Sequence, residues 1–253
     1  MAFIQFHFFS EALQMQTEAY IIMPQKQSRG QIGLQTKNTN EKYKCLYLLH
    51  GLSDDHTAWM RHTAIERYAE KYGICVVMPC VHRSFYLDLP GTRNYYTFVS
   101  QELPGVMREF FNVSDKKEDN FVAGLSMGGY GALKMAMREH GRFSAAVALS
   151  SATEMLTPER LAFGKQLLGT VETVSENDDL FCLATELVKQ NDKPRLFIAV
   201  GKDDYMYPEN IRLKEHMNSL GLEFTFIEDE GNHTWEFWDK YIQIGLEWMF
   251  GEK

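Results

Sequence analysis

The chain is poor in cysteine. Cys45, Cys75, Cys80 and Cys182 are scattered, with no CxxC pair and no zinc-type spacing. That scatter excludes a disulfide framework and suits reduced thiols, and Cys45 and Cys75, inside apolar runs, read as small buried hydrophobes. Positive charge is also scarce: 26 Lys and Arg stand against 34 Asp and Glu, a net charge of −8. A protein built to grip the phosphate backbone of a nucleic acid is therefore not expected. Nowhere do 18 apolar residues run together, so no helix should span a membrane. The first twenty residues lack Lys, Arg and an A-x-A-type cleavage site, so they do not read as a signal peptide, and a cytoplasmic location is expected. Repeats, low-complexity tracts and Pro/Ser-rich linkers are missing too.

What remains is an ordinary globular composition, 45% hydrophobic and 24% charged over 253 residues, suited to one large domain. Short apolar runs alternate with segments of helical period. Strands are expected at Glu18–Met23, Lys44–Leu49, Ile74–Met78, Asn120–Ala123, Ala145–Leu149, Arg195–Val200 and Glu223–Ile227. Runs such as CLYLL, ICVVM and LFIAV suit a sheet covered on both faces. Thr63 with Glu66 suggests a capping box for a helix stopped by Gly73. Pro208 fits the first turn of another helix that Gly221 ends, and Trp235, Trp238, Ile242, Leu246 and Met249 form one stripe of a C-terminal helix. The expected fold is α/β, a mostly parallel, doubly wound sheet with helices on both faces. One stretch breaks the rhythm: about forty residues, 153–194, separate two strands, with helical pieces at Pro158–Leu168 and Asp178–Gln190. A small cap beside the active face is the expectation.

The most informative site is Gly124-Leu125-Ser126-Met127-Gly128, a G-x-S-x-G pattern. Chance alone produces the pattern in roughly 5–10% of chains this long. Here it follows an apolar strand and opens a helix, the context of a nucleophile elbow, and so tight a turn needs glycine at 124 and 128. Ser126 then stands where helix N–H groups favour developing negative charge. A serine hydroxyl needs a base, and in α/β-hydrolases the partners follow in the order Ser, acid, His. His233, in the loop after the final strand, fits the base; His216 lies on the polar face of a helix. For the acid, Asp203 and Asp204 follow one strand, while Glu228, Asp229 and Glu230 compete from the histidine's own loop. Asp204, three residues beyond Gly201, is preferred, with Asp203 as the alternative. The acid orients the imidazole and stabilises its charged form. The oxyanion donors should be the N–H groups of Met127 and of Leu52, in the loop His50-Gly51-Leu52.

Two rival readings use the same residues. His50, Asp54, Asp55, His56 and His62 are the only metal-like series, but their spacing matches no zinc motif, so a metallo-hydrolase is not favoured and no metal is expected. A non-catalytic binding protein on a hydrolase fold should have lost one of the serine, acid or histidine, whereas this chain keeps all three.

The segments YLLHGLSDDHTAW, VVMPCVHRSFY, FVAGLSMGGYGALKMA, GKDDYMY and GNHTWEFW carry a resemblance. From about Thr17 to its end the chain resembles the esterase D-like branch of the α/β-hydrolases, closest to the bacterial tributyrin esterases. The resemblance implies one α/β-hydrolase domain over 1–253 and a serine carboxylesterase for short-chain acyl esters. It places Ser126, Asp204 and His233 at the triad positions, and Leu52 and Met127 at the oxyanion positions. Relatives cleave S-formylglutathione, feruloyl esters or acetylated sugars. The formylglutathione members usually carry Ser-Gly-Leu-Thr-Cys-Thr where this chain has His50-Gly51-Leu52-Ser53-Asp54-Asp55, which argues against that substrate. No cofactor is expected; the partner is a small-molecule ester, and a homo-oligomer stays open. Trp59, Tyr86 and Trp235 flank the active loops and are candidates to line the acyl pocket.

Overall fold

The computed structural model describes residues 1–26, 41–91, 93–170 and 174–251. Its strands are β1 (Ala2–Ser10), β2 (Met15–Met23), β3 (Cys45–Leu49), β4 (Cys75–Pro79), β5 (Asp88–Leu89), β6 (Arg93–Asn94), β7 (Asn120–Leu125), β8 (Ala145–Leu149), β9 (Arg195–Gly201) and β10 (Thr225–Asp229). Eight of them form one sheet in the order β1-β2-β4-β3-β7-β8-β9-β10; β5 and β6 pair separately. From β4 to β10 the pairing is parallel, and β1 and β2 add an antiparallel edge. Every residue of β3, β4, β7 and β8 is buried, as strands covered on both faces require.

The helices are α1 (Ala58–His62), α2 (Ile65–Tyr72), α3 (Tyr95–Thr97), α4 (Leu103–Phe110), α5 (Met127–Arg138), α6 (Pro158–Leu168), α7 (Leu180–Leu187), α8 (Tyr207–Ser219) and α9 (Trp235–Phe250). They divide the core in two. One face packs Ile65, Ala69, Trp238, Ile242 and Leu246, from α2 and α9, on the sheet. The other packs Leu103, Tyr130, Leu133, Leu183 and Leu213, from α4, α5, α7 and α8. This is the doubly wound α/β-hydrolase arrangement expected. Among the described residues no helix is long and apolar enough to cross a membrane.

Three local expectations change. The N-terminal segment, where no strand is expected from the sequence, is strand β1. Its exposure alternates residue by residue from Ala2 to Phe9, but apolar side chains occupy both faces and mask the period of two. The capping box at Thr63 does not form: α2 starts after Ala64, and the Thr63 hydroxyl donates to the Trp59 carbonyl at 2.6 Å while accepting the Ile65 N–H at 3.2 Å. Gly73 and Gly221 do end their helices, with φ of 62° and 70°.

The third change concerns the insertion at 153–194, in which residues 171–173 lie outside the described set. Its second helix is no cap. Leu180, Leu183, Ala184 and Leu187 of α7 bury themselves in the core, making α7 the crossover between β8 and β9. A buried ion pair pins the segment that leads into it. The Lys134 ammonium, fully buried on α5, lies 2.6 Å from Asp178 and donates to the Tyr86 carbonyl at 2.9 Å. Burial pulls the Lys134 pKa down to about 8, with Asp178 opposing the fall, so the amine stays charged at neutral pH. Lys134→Met should leave the buried Asp178 carboxylate with only Arg138, 3.9 Å away, and the Ser175 donors to balance it, and cost about 3 kcal/mol. Thermal unfolding checks this, and Lys134→Met with Asp178→Asn should recover most of the loss.

Candidate active site

The tight turn between β7 and α5 sets Ser126 at the carboxyl end of the parallel strands. Its φ of 52° and ψ of −117° are strained for a residue with a side chain. The surroundings hold it there: its N–H donates to the Leu149 carbonyl at 2.8 Å, and its carbonyl accepts from Tyr130 and Ala152. Glycine is obligatory on both sides. A Cβ on Gly124 would lie 2.3 Å from the Gly128 carbonyl oxygen, and one on Gly128 would lie 2.4 Å from that of Leu49.

Two other strand ends supply the partners. Asp204 follows β9 and is buried, while His233 follows β10 and is half-buried. Gly201 and Gly231 let these loops touch, since a Cβ on Gly201 would stand 2.1 Å from the Gly231 oxygen. His233 Nδ1 lies 3.0 Å from both Asp204 carboxylate oxygens, and Nε2 lies 3.0 Å from Ser126 Oγ. A proton on Nδ1 satisfies the carboxylate and leaves Nε2 to accept the serine hydroxyl. Burial pushes the Asp204 pKa up. Hydrogen bonds from His233, the Ser150 hydroxyl and the Met206 N–H outweigh that and hold it below the ordinary aspartate value.

The competing acids are occupied elsewhere. Asp203 is exposed. Glu228 pairs with Lys214 and accepts from the Tyr207 hydroxyl at 2.6 Å, and Asp229 pairs with Lys240 and Tyr241.

Ser150 is a site residue that sequence reasoning missed. It sits just past β8 with φ of 48°, and its Oγ accepts the Trp238 Nε1 proton at 3.1 Å while bonding Asp204. A single serine in the run LSSA gives no sequence signal for that role. Tyr205 was missed as well: its ring centroid lies 4.5 Å from that of His233.

Leu52 and Ser126 line one cleft of about 630 Å³, together with Arg83, Tyr205, Trp235 and Glu236. A Cβ on Gly51 would crowd the ends of the Leu125 and Asp54 side chains, at 2.7 and 2.9 Å. Met127 is the first residue of α5, so its N–H has no acceptor within the helix. A larger groove, about 1050 Å³, opens beside Arg195 and Trp248 at the other end of the strands. The facing serine, histidine and aspartate, rather than volume, mark the smaller cleft as the candidate site.

Of the three aromatic candidates, only Trp235 lines the cleft. Trp59 is fully buried, donating to the Leu49 carbonyl at 3.1 Å, and Tyr86 is fully buried, donating to the His50 carbonyl at 3.0 Å. Both support the loop from beneath because their polar atoms needed buried partners. Among the described residues, none that lines the cleft comes from 153–194. The His50 to His62 series does not assemble. His50 bonds Gly51 and Val81 through its two ring nitrogens, and burial lowers its pKa to about 4, while His62 stacks on Trp235.

Known proteins match this chain along most of its length. A sequence family of esterases matches residues 10–248. An acetyl esterase of Caldicellulosiruptor saccharolyticus is 32% identical over 266 aligned residues, covering 98% of both chains. Among solved structures, FphF of Staphylococcus aureus, a fluorophosphonate-binding serine hydrolase, superposes with a TM-score of 0.87 at 31% identity, covering 99% of both chains. The S-formylglutathione hydrolase FrmB of the same species gives 0.85 at 32% identity, covering 98% of both chains.

Proposed function

The chain belongs to the esterase family, and from that premise we propose a serine carboxylesterase that hydrolyses short-chain acyl esters through Ser126, His233 and Asp204. The observation that carries this reading is the unbroken line from the Asp204 carboxylate through His233 to Ser126 Oγ, each contact 3.0 Å long. Neutral His233 takes the serine proton through Nε2 as Oγ attacks the ester carbonyl. The resulting oxyanion is met by the N–H groups of Leu52 and Met127. His233 then protonates the leaving alcohol, an acyl-enzyme forms on Ser126, and water activated by His233 releases the acid. Asp204 keeps the ring oriented and balances its positive charge.

The cleft wall supports a small acyl group. Trp235 is braced edge-on by Trp59 and Trp238, at 5.2 and 5.3 Å, and stacked by His62 at 4.7 Å. So many ring contacts fix the Trp235 side chain, and a rigid wall does not yield to a lengthening chain. The acetyl esterase relative favours the same end of the scale.

The test is kcat/KM on p-nitrophenyl esters from acetyl to decanoyl. A maximum at two to four carbons is expected, with a fall of about thirtyfold or more for each further pair of methylenes, since an apolar pocket resolves about 1–3 kcal/mol per methylene. A maximum at eight or ten carbons would overturn the short-chain reading while leaving the serine mechanism intact.

A further inference from the structure

Away from the triad, three side chains with metal-ligand chemistry converge from three elements. Glu18 on β2, His56 in the loop after β3 and Cys80 just past β4 each offer one ligand atom, and these atoms all lie within 4.8 Å of one another. The backbone builds this convergence. Ala19 pairs with Pro79 across β2 and β4, and the Cys80 N–H continues that ladder onto the Glu18 carbonyl at 3.1 Å. The loop then lays His56 over the pair, its ring edge-on to Tyr20 with centroids 4.5 Å apart.

Two observations point to a ligand. The His56 side chain is 8% exposed, yet its Nδ1 has no hydrogen-bond partner. A buried ring nitrogen left unsatisfied calls for an explanation, and an ion is one. The same Nδ1 lies 3.6 Å from Glu18 Oε1. That is too long for a hydrogen bond but near the edge of a zinc tetrahedron, roughly 3.3–3.4 Å for bonds of about 2.0–2.1 Å. Burial, helped by the nearby Glu18, raises the Cys80 pKa, and the N–H groups of His82 and His56 only partly oppose this, so the ion itself has to drive the thiol's deprotonation.

We propose that Glu18, His56 and Cys80 bind one divalent transition-metal ion of the zinc type. The fourth position stays open to water or to the exposed His82, whose Nδ1 lies 3.7 Å from Cys80 Sγ. A mixed sulfur, nitrogen and oxygen set selects zinc-like ions over magnesium or calcium, which take oxygen ligands. Cys80 must give up its proton as the metal–sulfur bond forms. The ion would tie the loop that carries Leu52 to strands β2 and β4, a structural rather than catalytic part. Of the His50 to His62 series, only His56 takes part. Glu18 and Cys80 come from distant positions, which is why spacing within the loop showed no zinc pattern.

Cobalt(II) titration of the full chain tests the proposal. One equivalent should produce a thiolate-to-cobalt charge-transfer band that zinc(II) then displaces. Zinc at a hundred times its Kd should raise Tm by roughly 5–10 °C. Cys80→Ser should abolish the band, His56→Gln should weaken cobalt binding at least about tenfold, and Cys182→Ser should keep both. No band in the unmodified chain, or a band that survives Cys80→Ser, overturns the site. Should Cys80→Ser fail to fold, His56→Gln decides, because unchanged cobalt affinity there overturns it equally.

Discussion

Ser126→Ala should lower kcat on a short p-nitrophenyl ester by about five to six orders of magnitude, the loss seen when other serine hydrolases give up their nucleophile. The size of the effect follows from what the hydroxyl does. Without Oγ no acyl-enzyme can form, and the His233 Nε2 that faces it at 3.0 Å has nothing to deprotonate but water. The rest of the site should survive. The backbone at residue 126 is held by Leu149, Tyr130 and Ala152 through its own N–H and carbonyl, none of which the substitution touches. Melting temperature should therefore stay near that of the parent chain, and KM or inhibitor affinity should change little. A folded Ser126→Ala protein with turnover within tenfold of the parent would falsify the serine mechanism. Loss of both folding and activity would be uninformative, so thermal unfolding is measured on the same sample.

Much of this site was legible in the sequence because its constraints are local. The elbow needs glycine at 124 because a Cβ there would meet the Gly128 carbonyl at 2.3 Å, a constraint within five residues, while Gly128 is held to glycine by the Leu49 carbonyl of the neighbouring strand β3 at 2.4 Å. The order of strand ends then places an acid and a histidine beside the serine, since parallel strands present their carboxyl ends to one crevice. Choosing Asp204 over Asp203 depended on which side chain turns inward after Gly201, a single-residue difference that family resemblance carried better than pattern. What sequence reasoning missed depends on distant partners. Ser150 acquires its role only when Trp238, 88 residues later, donates to it. Trp59 and Tyr86 sit next to active loops in sequence but point into the core, because a large aromatic with one polar atom is easily satisfied by a buried carbonyl. The second half of the insertion read as a cap because its length was unusual, yet the apolar stripe of α7 had already marked it as a core helix. Strand β1 was hidden by the reverse effect, an edge strand whose outward face carries Phe3 and Phe9 beside Gln5 and His7.

Asp204→Asn should reduce kcat by about ten-thousandfold, by analogy with the same exchange in a protease triad. The shape barely changes, so the loss isolates electrostatics and tautomer choice. An amide can turn its NH₂ toward His233, which moves the imidazole proton to Nε2 and presents a donor, instead of an acceptor, to the serine. The negative charge that balances the imidazolium is lost as well. Asp203→Asn is the matched control, since that carboxylate is exposed, and it should change kcat by no more than about twofold. A larger loss for Asp203→Asn than for Asp204→Asn would move the acid to residue 203. Stability supplies a second readout. The Asp204 pKa is lower in the folded protein than its ordinary value, because bonds from His233, Ser150 and Met206 outweigh its burial. The sign follows from linkage: the carboxylate stabilises the fold above the ordinary aspartate range, and this contribution is lost as pH falls through the depressed folded value. Asp204→Asn should therefore unfold at lower temperature than the parent near neutral pH, and the gap should close in acid. A gap that stays constant down through the acid range would mean that Asp204 supports the fold by packing alone, leaving its charge without the role assigned to it.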